Sequence, residues 1–494
     1  MYLPEWVIPF KESRTEIRCI KGIYYKYEVR YQYNKLKKKT DKITVRLMGK
    51  ITLENGFIAS DKDLIRQKAS ELPNVDIKNF GVYNLYSNLL SNEINTLKTI
   101  FKDLVAERLL SFSMMRWAYQ SPIKRASHYH AHDFCSQEWS KDSISDKHIS
   151  DTLKFVGQNR EIIVDWMTQM LSMSTSGNNK FVMMDSTHVS TVSEQLGINV
   201  KGYNPSHDFD EQIRLMYLFS SELKQPVYYR LINGNITDIS SMSLCVKEMN
   251  VKDVVFIADK GFYSESNVTE LDNNLLQYII PLKRNNQLID FESIKQVIFK
   301  KEIKNCFIYQ GRIIWFYQYE NVVMKKKLIT FLDEKLRVEE EADYLIRIRS
   351  HPENYSEDKF FKKMDGFGTL TIVYKLNGQD NQSPQEIYEA YKQRNEVEIM
   401  FYSYKNFLNA DRMYMQDRHV LEGWLFANFI AMIAYYKLYC RLKQAKLLTK
   451  YSPKDIIELS KSIYQTKIHG EWNRSEITIK TKQLFKKIGI DYLN

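Results

Sequence analysis

Strict alternation of apolar and polar residues opens the chain. From Ile23 the order Tyr-Tyr-Lys-Tyr-Glu-Val-Arg-Tyr-Gln-Tyr places every second side chain on one face, and Ile43-Thr-Val-Arg-Leu repeats the pattern after a Lys-rich turn. Period-two spacing around a polar turn predicts a β-hairpin with one basic and one aromatic face. From about Asp61 to Gly177 the spacing becomes helical, clearest over Glu93–Leu110 and Asp151–Met173. Strand-like runs follow. Phe181-Val-Met-Met closes at Asp185, then come Arg214–Phe219 and Pro226–Ile232, with Asn233-Gly234 as a break. A short helical piece near Ser240–Met249 leads to Val254-Val-Phe-Ile-Ala, which closes at Asp259. Between 291 and 376 short β-like segments return (Cys306-Phe-Ile-Tyr, Arg312-Ile-Ile-Trp-Phe-Tyr, Lys327-Leu-Ile-Thr-Phe), and helical spacing resumes from Ser383 to about Ala445. No repeat or low-complexity tract interrupts this order.

Three strands, a helix and a fourth strand, with an acid closing the first and fourth, is the order of a ribonuclease H-like core. The first and fourth runs are continuously apolar, as strands buried on both faces are. The expected architecture is α/β: a ribonuclease H-like core with an inserted β-rich subdomain, preceded by a mixed region of a β-hairpin followed by helices. Expected boundaries are 1–175 for that N-terminal region, 176–290 and 377–445 for the two parts of the core, 291–376 for the insertion, and 446–494 for a basic tail.

Composition narrows the setting. A chain of 494 residues, 44% hydrophobic and 13% aromatic, is long enough for more than one core. Its net charge of +11 favours a polyanionic partner. Cys19, Cys135, Cys245, Cys306 and Cys440 lie far apart with no CxxC pair, which reads as free thiols in a reducing compartment. The N-terminus lacks the order of a signal peptide. The most apolar stretch, Trp424–Tyr436, contains Asn428 and is too short for a bilayer, so it reads as a buried helix and no membrane association is expected. The expected location is cytoplasmic, associated with the nucleoid.

Two aspartates ending neighbouring strands would stand side by side, and their repulsion calls for cations. Hard oxygen donors suit Mg2+, with Mn2+ able to substitute. A lone strand-end Asp is usually a turn former; two of them in register carry more weight. The segment Tyr391-Lys-Gln-Arg-Asn-Glu-Val-Glu398 to Lys405 adds a third acid. On one continuous helix, Arg394, Glu398 and Lys405 fall at roughly −60°, −20° and −40° from Tyr391, a single stripe about four turns long, while Glu396 is displaced by roughly 140°. Val397, Met400, Phe401 and Phe407 should pack on the sheet. A stripe of one acid, two cations and a tyrosine can pair a metal ligand with phosphate-gripping groups. A solvated salt-bridge face is the plain alternative.

Other features point elsewhere. His128-Tyr-His130-Ala-His132 with Cys135 suggests zinc, and alternate histidines on a strand would share one face, yet no second ligand cluster with finger-like spacing exists, so a polar, DNA-facing segment is expected instead. His188 reads as a supporting rather than ligating residue. Neither a GxxxxGKS/T loop nor a GxSxG elbow is present, which speaks against an ATP-driven motor and a serine nucleophile. Lys35-Leu-Lys-Lys-Lys-Thr could touch phosphate or simply be a solvated hairpin tip.

Tyr391, Arg394, Glu398 and Lys405, together with Asp185-Ser-Thr, Tyr228-Tyr-Arg-Leu-Ile-Asn-Gly-Asn with Asp238, Asp259-Lys-Gly-Phe and Tyr278-Ile-Ile-Pro-Leu-Lys-Arg, resemble the DDE transposases of bacterial insertion sequences, in the group marked by a Tyr-Arg-Glu-Lys signature. The resemblance covers about 20 to 490 and is strongest from 181 to 436. Asn395 and Lys260 depart from the usual pattern without removing a ligand. The resemblance implies that Asp185, Asp259 and Glu398 are catalytic and hold Mg2+, that Tyr391, Arg394 and Lys405 contact DNA, and that a homodimer pairs two terminal inverted repeats. It implies metal-dependent cleavage at transposon ends and strand transfer into target DNA. In relatives that form a DNA hairpin, an aromatic residue of the insertion can hold a flipped base; Trp315 is the candidate by position, with a core tryptophan as the plainer reading. Two rivals remain: a silent DNA-binding regulator derived from a transposase, and a metal-dependent DNA nuclease without strand transfer. The N-terminal region is expected to bind the terminal repeats.

Overall fold

The alternation along residues 23–47 becomes a long antiparallel hairpin. The computed structural model describes residues 3–34, 38–64, 75–140, 142–172, 180–191, 193, 196–197, 200–201, 211–232, 238–249, 254–296, 298–321, 325–376, 383–410 and 412–490. The chain divides into two compact units, one of residues 1–77 with 465–474 and the other of 78–464 with 475–494. The first unit is built on a four-stranded sheet, β1 (Thr15–Ile20), β2 (Ile23–Asn34), β3 (Lys39–Thr52) and β4 (Gly56–Ala59), paired in that order and antiparallel throughout. Lys21 and Gly22 link β1 to β2 with φ of 52° and 82°, the pair of positive values a tight hairpin turn requires. Gly49 lets β4 approach closely, because a Cβ there would lie 2.2 Å from the Ile58 carbonyl oxygen. Val7, Val29 and Ile51 form its small core, and Lys26 is buried with its ammonium 2.6 Å from Glu12. The hairpin turn at 35–37 lies outside the described residues.

The second unit begins with helices α1 (Gly81–Leu89), α2 (Ser91–Ile100), α3 (Asp103–Tyr119), α4 (Ala126–His132), α5 (Asp146–Gln158) and α6 (Arg160–Ser172). The two long helical runs of the sequence are each divided. Glu93–Leu110 breaks where Phe101 turns extended at φ −109°, ψ 151°. Asp151–Met173 breaks at Asn159, whose side-chain amide donates to the Phe155 carbonyl and so ends α5. The histidine segment lies on α4, not on a strand. Helical spacing puts His128 against His132, with ring centroids 5.1 Å apart, and turns His130 inward, where burial pushes its pKa down to about 4.

The sheet follows: β5 (Lys180–Thr191), β6 (Glu211–Ser220), β7 (Gln225–Ile232), then α7 (Asp238–Met249), β8 (Val254–Ile257) and β9 (Gln277–Pro281). Four more strands, β10 (Cys306–Tyr309), β11 (Arg312–Asn321), β12 (Lys326–Asp333) and β13 (Thr369–Lys375), flank helix α8 (Glu334–Ser350). Among the described residues the strand order is β10-β11-β12-β13-β9-β8-β5-β6-β7, with short pairings of Val200–Lys201 on β6 and Arg412–Met413 on β5. β5, β8 and β9 run parallel, while β6, β7 and β10–β13 pair antiparallel with their neighbours. The β-rich stretch within 291–376 does not stand apart from the core sheet: β13 pairs with β9 and carries the sheet onward, and the 17-residue α8 lies between its strands.

Helices α9 (Pro384–Lys392), α10 (Asn395–Tyr402) and α11 (Arg418–Gln444) complete the layers. The apolar stretch Trp424–Tyr436 is the buried middle of α11. Its one polar intruder, Asn428, is fully buried and satisfied, accepting from Arg116 Nε at 3.0 Å and donating to the Trp424 carbonyl at 2.8 Å. Among the described residues no helix is long and apolar enough to cross a membrane.

Candidate active site

Strand register brings the two aspartates together. On parallel β5 and β8 the last paired residues are Met183 and Ile257. Asp185 and Asp259 each lie two residues further along, so they share a face of the sheet on strands about 4.8 Å apart. The sequence predicts that Asp185 closes its strand. Instead β5 runs on to Thr191, because β6 supplies it with a partner from Val182–Ser220 to Ser190–Gln212. β8 does stop before Asp259, which caps the short turn Lys260–Phe262 and accepts from Lys260 N at 2.7 Å. Asp185 likewise accepts from Ser186 N at 2.8 Å. His188, three residues past Asp185, falls on the opposite face of β5, and its Nε2 lies 3.2 Å from Arg214.

The third acid arrives from the helical segment. Ser383 and Glu386 form a reciprocal cap with Pro384 at the first helical position, which fixes where α9 begins. The stripe expected on one helix is interrupted twice. Gln393 tightens to ψ −10° and Arg394 N donates to the Tyr391 carbonyl at 3.0 Å, a three-residue turn that separates α9 from α10. A π-turn, Ser403–Phe407, then follows α10 and carries the half-buried Lys405. α10 buries Val397, Met400 and Phe401, and the Phe401 and Tyr404 rings lie 5.9 and 5.7 Å from that of Tyr217 on β6. Phe407 packs on Tyr435 of α11 at 4.7 Å rather than on the sheet. Glu396 points away, its carboxylate 3.3 Å from Lys443.

These elements converge on Arg394. Its guanidinium stands 3.5 Å from Asp185 Oδ2, 3.3 Å from Asp259 Oδ1 and 3.4 Å from Glu398 Oε1. Three acids separated by 74 and 139 residues therefore lie within reach of one cation. The contacts are longer than the roughly 2.7–2.9 Å of a charge-assisted hydrogen bond, and Arg394 Nε is buried without a partner. Burial alone would lower the Arg394 pKa, but the charges of Asp259 and Asp185 outweigh it and the net shift is upward. Burial likewise pushes the Tyr391 phenol up, with Arg394 opposing.

Among the described residues, no three His, Cys, Asp or Glu side chains stand close enough to ligate one ion as they are arranged. The three carboxylates are instead spread around a guanidinium. Their donor chemistry still fits a hard divalent ion, since all three offer carboxylate oxygens. Mg2+ draws its oxygen ligands to about 2.0–2.1 Å, so the guanidinium would have to turn aside and the acids close in. Beside Asp259 opens a cavity of about 330 Å3, lined by Lys260, Tyr263, Lys283, Asn285, Asn286 and Gln287 among others.

Trp315 is not brought to this point. It sits half-buried on β11, opposite Cys306 and Leu332, with the Lys300 ammonium 6.0 Å from its ring. Four strand spacings, about 19 Å along the sheet, separate β11 from β8. One residue that supports the site escaped the sequence reading. Buried Arg116 of α3 donates to the Leu408 carbonyl just after the π-turn, and to the Ser121 carbonyl at 2.7 Å. Burial pulls its pKa down to about 10. An arginine amid Phe-Ser-Met-Met and Trp-Ala-Tyr was the available signal, since a cation in an apolar helix needs buried acceptors.

Comparison with known proteins finds a family and two distant structural likenesses. Residues 177–331 and 332–434 match a family model described as Transposase DDE domain. Among solved structures the chain is similar to a piggyBac transposase synaptic complex with hairpin DNA, at 12% identity over 72% of this chain and 70% of that one, with a TM-score of 0.37. It is also similar to a Mos1 transposase paired-end complex with the left transposon end, at 11% identity over 29% of this chain and 52% of that one, with a TM-score of 0.14. Both likenesses are distant, and the family match alone carries the assignment. Among curated proteins no relative matches the chain.

Proposed function

The chain belongs to the Transposase DDE domain family, and from that premise we propose that it is an insertion-sequence transposase of the Tyr-Arg-Glu-Lys group. It cleaves DNA at the element's ends and transfers the freed strand into target DNA, on a ribonuclease H-like core formed by β5–β9 and α7. Asp185, Asp259 and Glu398 are the catalytic set. The observation that carries this reading is the meeting of all three carboxylates at one guanidinium.

Bound between these acids, Mg2+ (or Mn2+ in its place) supplies activation of the attacking oxygen and stabilisation of the leaving one. The chain's own residues do the rest. The sheet holds Asp185 and Asp259 at matched register, so neither has to be ordered when substrate arrives. Arg394 covers the acids until DNA binds, then turns its fork to a phosphate, which its planar donors fit. Lys405 adds a second phosphate contact, and Tyr391 packs on sugar or base. Water attacks at the element end and leaves a 3′-hydroxyl, which attacks the target phosphodiester in line. No covalent enzyme intermediate is required. Trp315, distant from the acids along the sheet, is retained only as a contact to DNA running past β11. The working unit is a homodimer on double-stranded DNA, pairing two terminal inverted repeats, which associates the protein with the nucleoid.

The test uses purified full-length protein, Mg2+ and DNA carrying the sequences that border its reading frame. Cleavage at the element boundary followed by joining to a target plasmid is the expected outcome. Cleavage without joining would indicate a nuclease, and binding without cleavage a regulator.

A further inference from the structure

Beyond Val29 the β2–β3 hairpin outruns the sheet that supports it. Arg30, Tyr31, Gln32 and Tyr33 are consecutively exposed, where an ordinary strand would hide every second residue. Tyr31 and Tyr33 are 62% and 61% exposed. A two-stranded ribbon wet on both faces is marginal in water, and exposed apolar side chains on it mark a binding surface. The charge says what binds. Residues 30–47 hold seven Lys or Arg side chains against the single acid Asp41, a net +6 out of the whole chain's +11.

The register sorts these side chains. Arg30 faces Ile43, Tyr31 faces Lys42, Gln32 faces Asp41, Tyr33 faces Thr40 and Asn34 faces Lys39. Directly paired residues share a face, so one face carries Arg30, Gln32, Asn34, Lys39, Asp41 and Ile43 and the other Tyr31, Tyr33, Thr40 and Lys42. Some are already engaged: Arg46 pairs with Glu28 at 2.5 Å and with Asp63, Lys42 pairs with Glu16 at 2.8 Å, and Asn34 donates to Asp41 at 2.9 Å. Among the described residues, Arg30, Lys38 and Lys39 take part in no ion pair.

We propose that this ribbon is a sequence-reading element that lies in the major groove of DNA. That groove, about 12 Å wide, admits a two-stranded β-ribbon. Arg30 and Gln32, two residues apart on one face, present a guanidinium fork suited to guanine and an amide suited to adenine. Lys38 and Lys39 beside the tip contact phosphates and set the register. The proposal rests on the transposase reading and supplies what the carboxylate site lacks, a means of telling the element's ends from other DNA.

Full-length protein in EDTA, where cleavage is arrested, is titrated with duplexes taken from the DNA bordering its reading frame and with a scrambled duplex. Wild type should prefer the bordering duplex. Arg30→Lys, which keeps charge but loses the fork, and Gln32→Ala should each cut that preference by about 5- to 150-fold, with circular dichroism unchanged. Lys38→Ala with Lys39→Ala should weaken both duplexes and reduce the log–log salt slope by about 2. Wild type that binds neither duplex would overturn the transposase reading itself. Wild type that discriminates while all these variants discriminate equally well would overturn the ribbon alone. Variants that keep DNA binding but lose self-association would do so too, assigning the surface to a second copy of the chain.

Discussion

Two arginines in this molecule each face several carboxylates, and they are built in opposite ways. Arg160 of α6 donates to Glu422 at 2.7 Å, to Glu248 at 3.1 Å and to the Tyr229 carbonyl at 2.6 Å, with its guanidinium 4.8 Å from the Tyr229 ring centroid. Arg394 reaches three acids at 3.3–3.5 Å and leaves a buried nitrogen unpaired. The two arginine side chains are alike in exposure, at 20% and 16%, but Asp259 and Glu398 are 33% and 58% exposed against 13% and 23% for Glu422 and Glu248. Completion differs too. Around Arg160 the charges balance and Glu248 takes further donors from Arg230 and Tyr228; around Arg394 three acids share one guanidinium at longer distances. The first arrangement locks helices to the sheet. The second holds its acids only through longer contacts.

The largest effect should appear when one acid of each cluster is neutralised. Asp259→Asn or Asp185→Asn should lower DNA cleavage on the order of 10³-fold or more, because a metal's charge stabilisation is worth several kcal/mol, while DNA binding persists; near-normal cleavage in either variant would refute the catalytic assignment. Glu422→Gln should instead leave chemistry intact in the fraction that folds.

Next in size comes the loss of each arginine. Arg160→Ala strands two part-buried acids and should cost about 3 kcal/mol of stability in urea unfolding. Arg394→Ala removes only loose contacts, so a change below about 1 kcal/mol is expected, alongside weaker engagement and joining of cleaved ends. Arg394→Lys should not restore joining, since an ammonium lacks the fork. Equal stability losses at both positions would erase the distinction between the two clusters.

The smallest effect concerns pH. Burial alone would raise the Glu248 carboxyl, but Arg160's charge and hydrogen bonds outweigh it and hold the group below its ordinary value. A depressed carboxylate stabilises the fold fully above its unfolded pKa and loses that contribution as pH falls through the folded value. Wild type should therefore lose stability below about pH 4.5 more steeply than Arg160→Ala, and parallel acid profiles would contradict this.

The contrast also shows what a sequence discloses. Asp185, Asp259, Glu398 and Arg394 were legible because each sits in a local pattern: an apolar run ending in an acid, or a helix spacing. The convergence of all three acids on Arg394 was not, since a helical wheel assumes the unbroken helix that the turn at Gln393–Arg394 interrupts. Gln and Arg are good helix formers, so local propensity gives no warning of that turn. The extension of β5 past Asp185 depends on β6, a partner in another part of the chain. Arg160 and Arg116 were invisible for the same reason: their acceptors lie up to 262 and 312 residues away. The histidines lie on α4, within the stretch whose spacing reads as helical, and there i,i+4 spacing pairs His128 with His132 and separates His130 from both.

Mn2+ binding by the full-length protein in the presence of a duplex carrying its bordering DNA, followed by the ion's paramagnetic resonance, tests the shared-cation claim most directly. Wild type should take up Mn2+, Asp185→Asn, Asp259→Asn and Glu398→Gln should each lose it, and Glu396→Gln, whose acid faces Lys443, should bind as wild type does. Undiminished Mn2+ uptake in the three substituted proteins would show that these carboxylates hold no common ion.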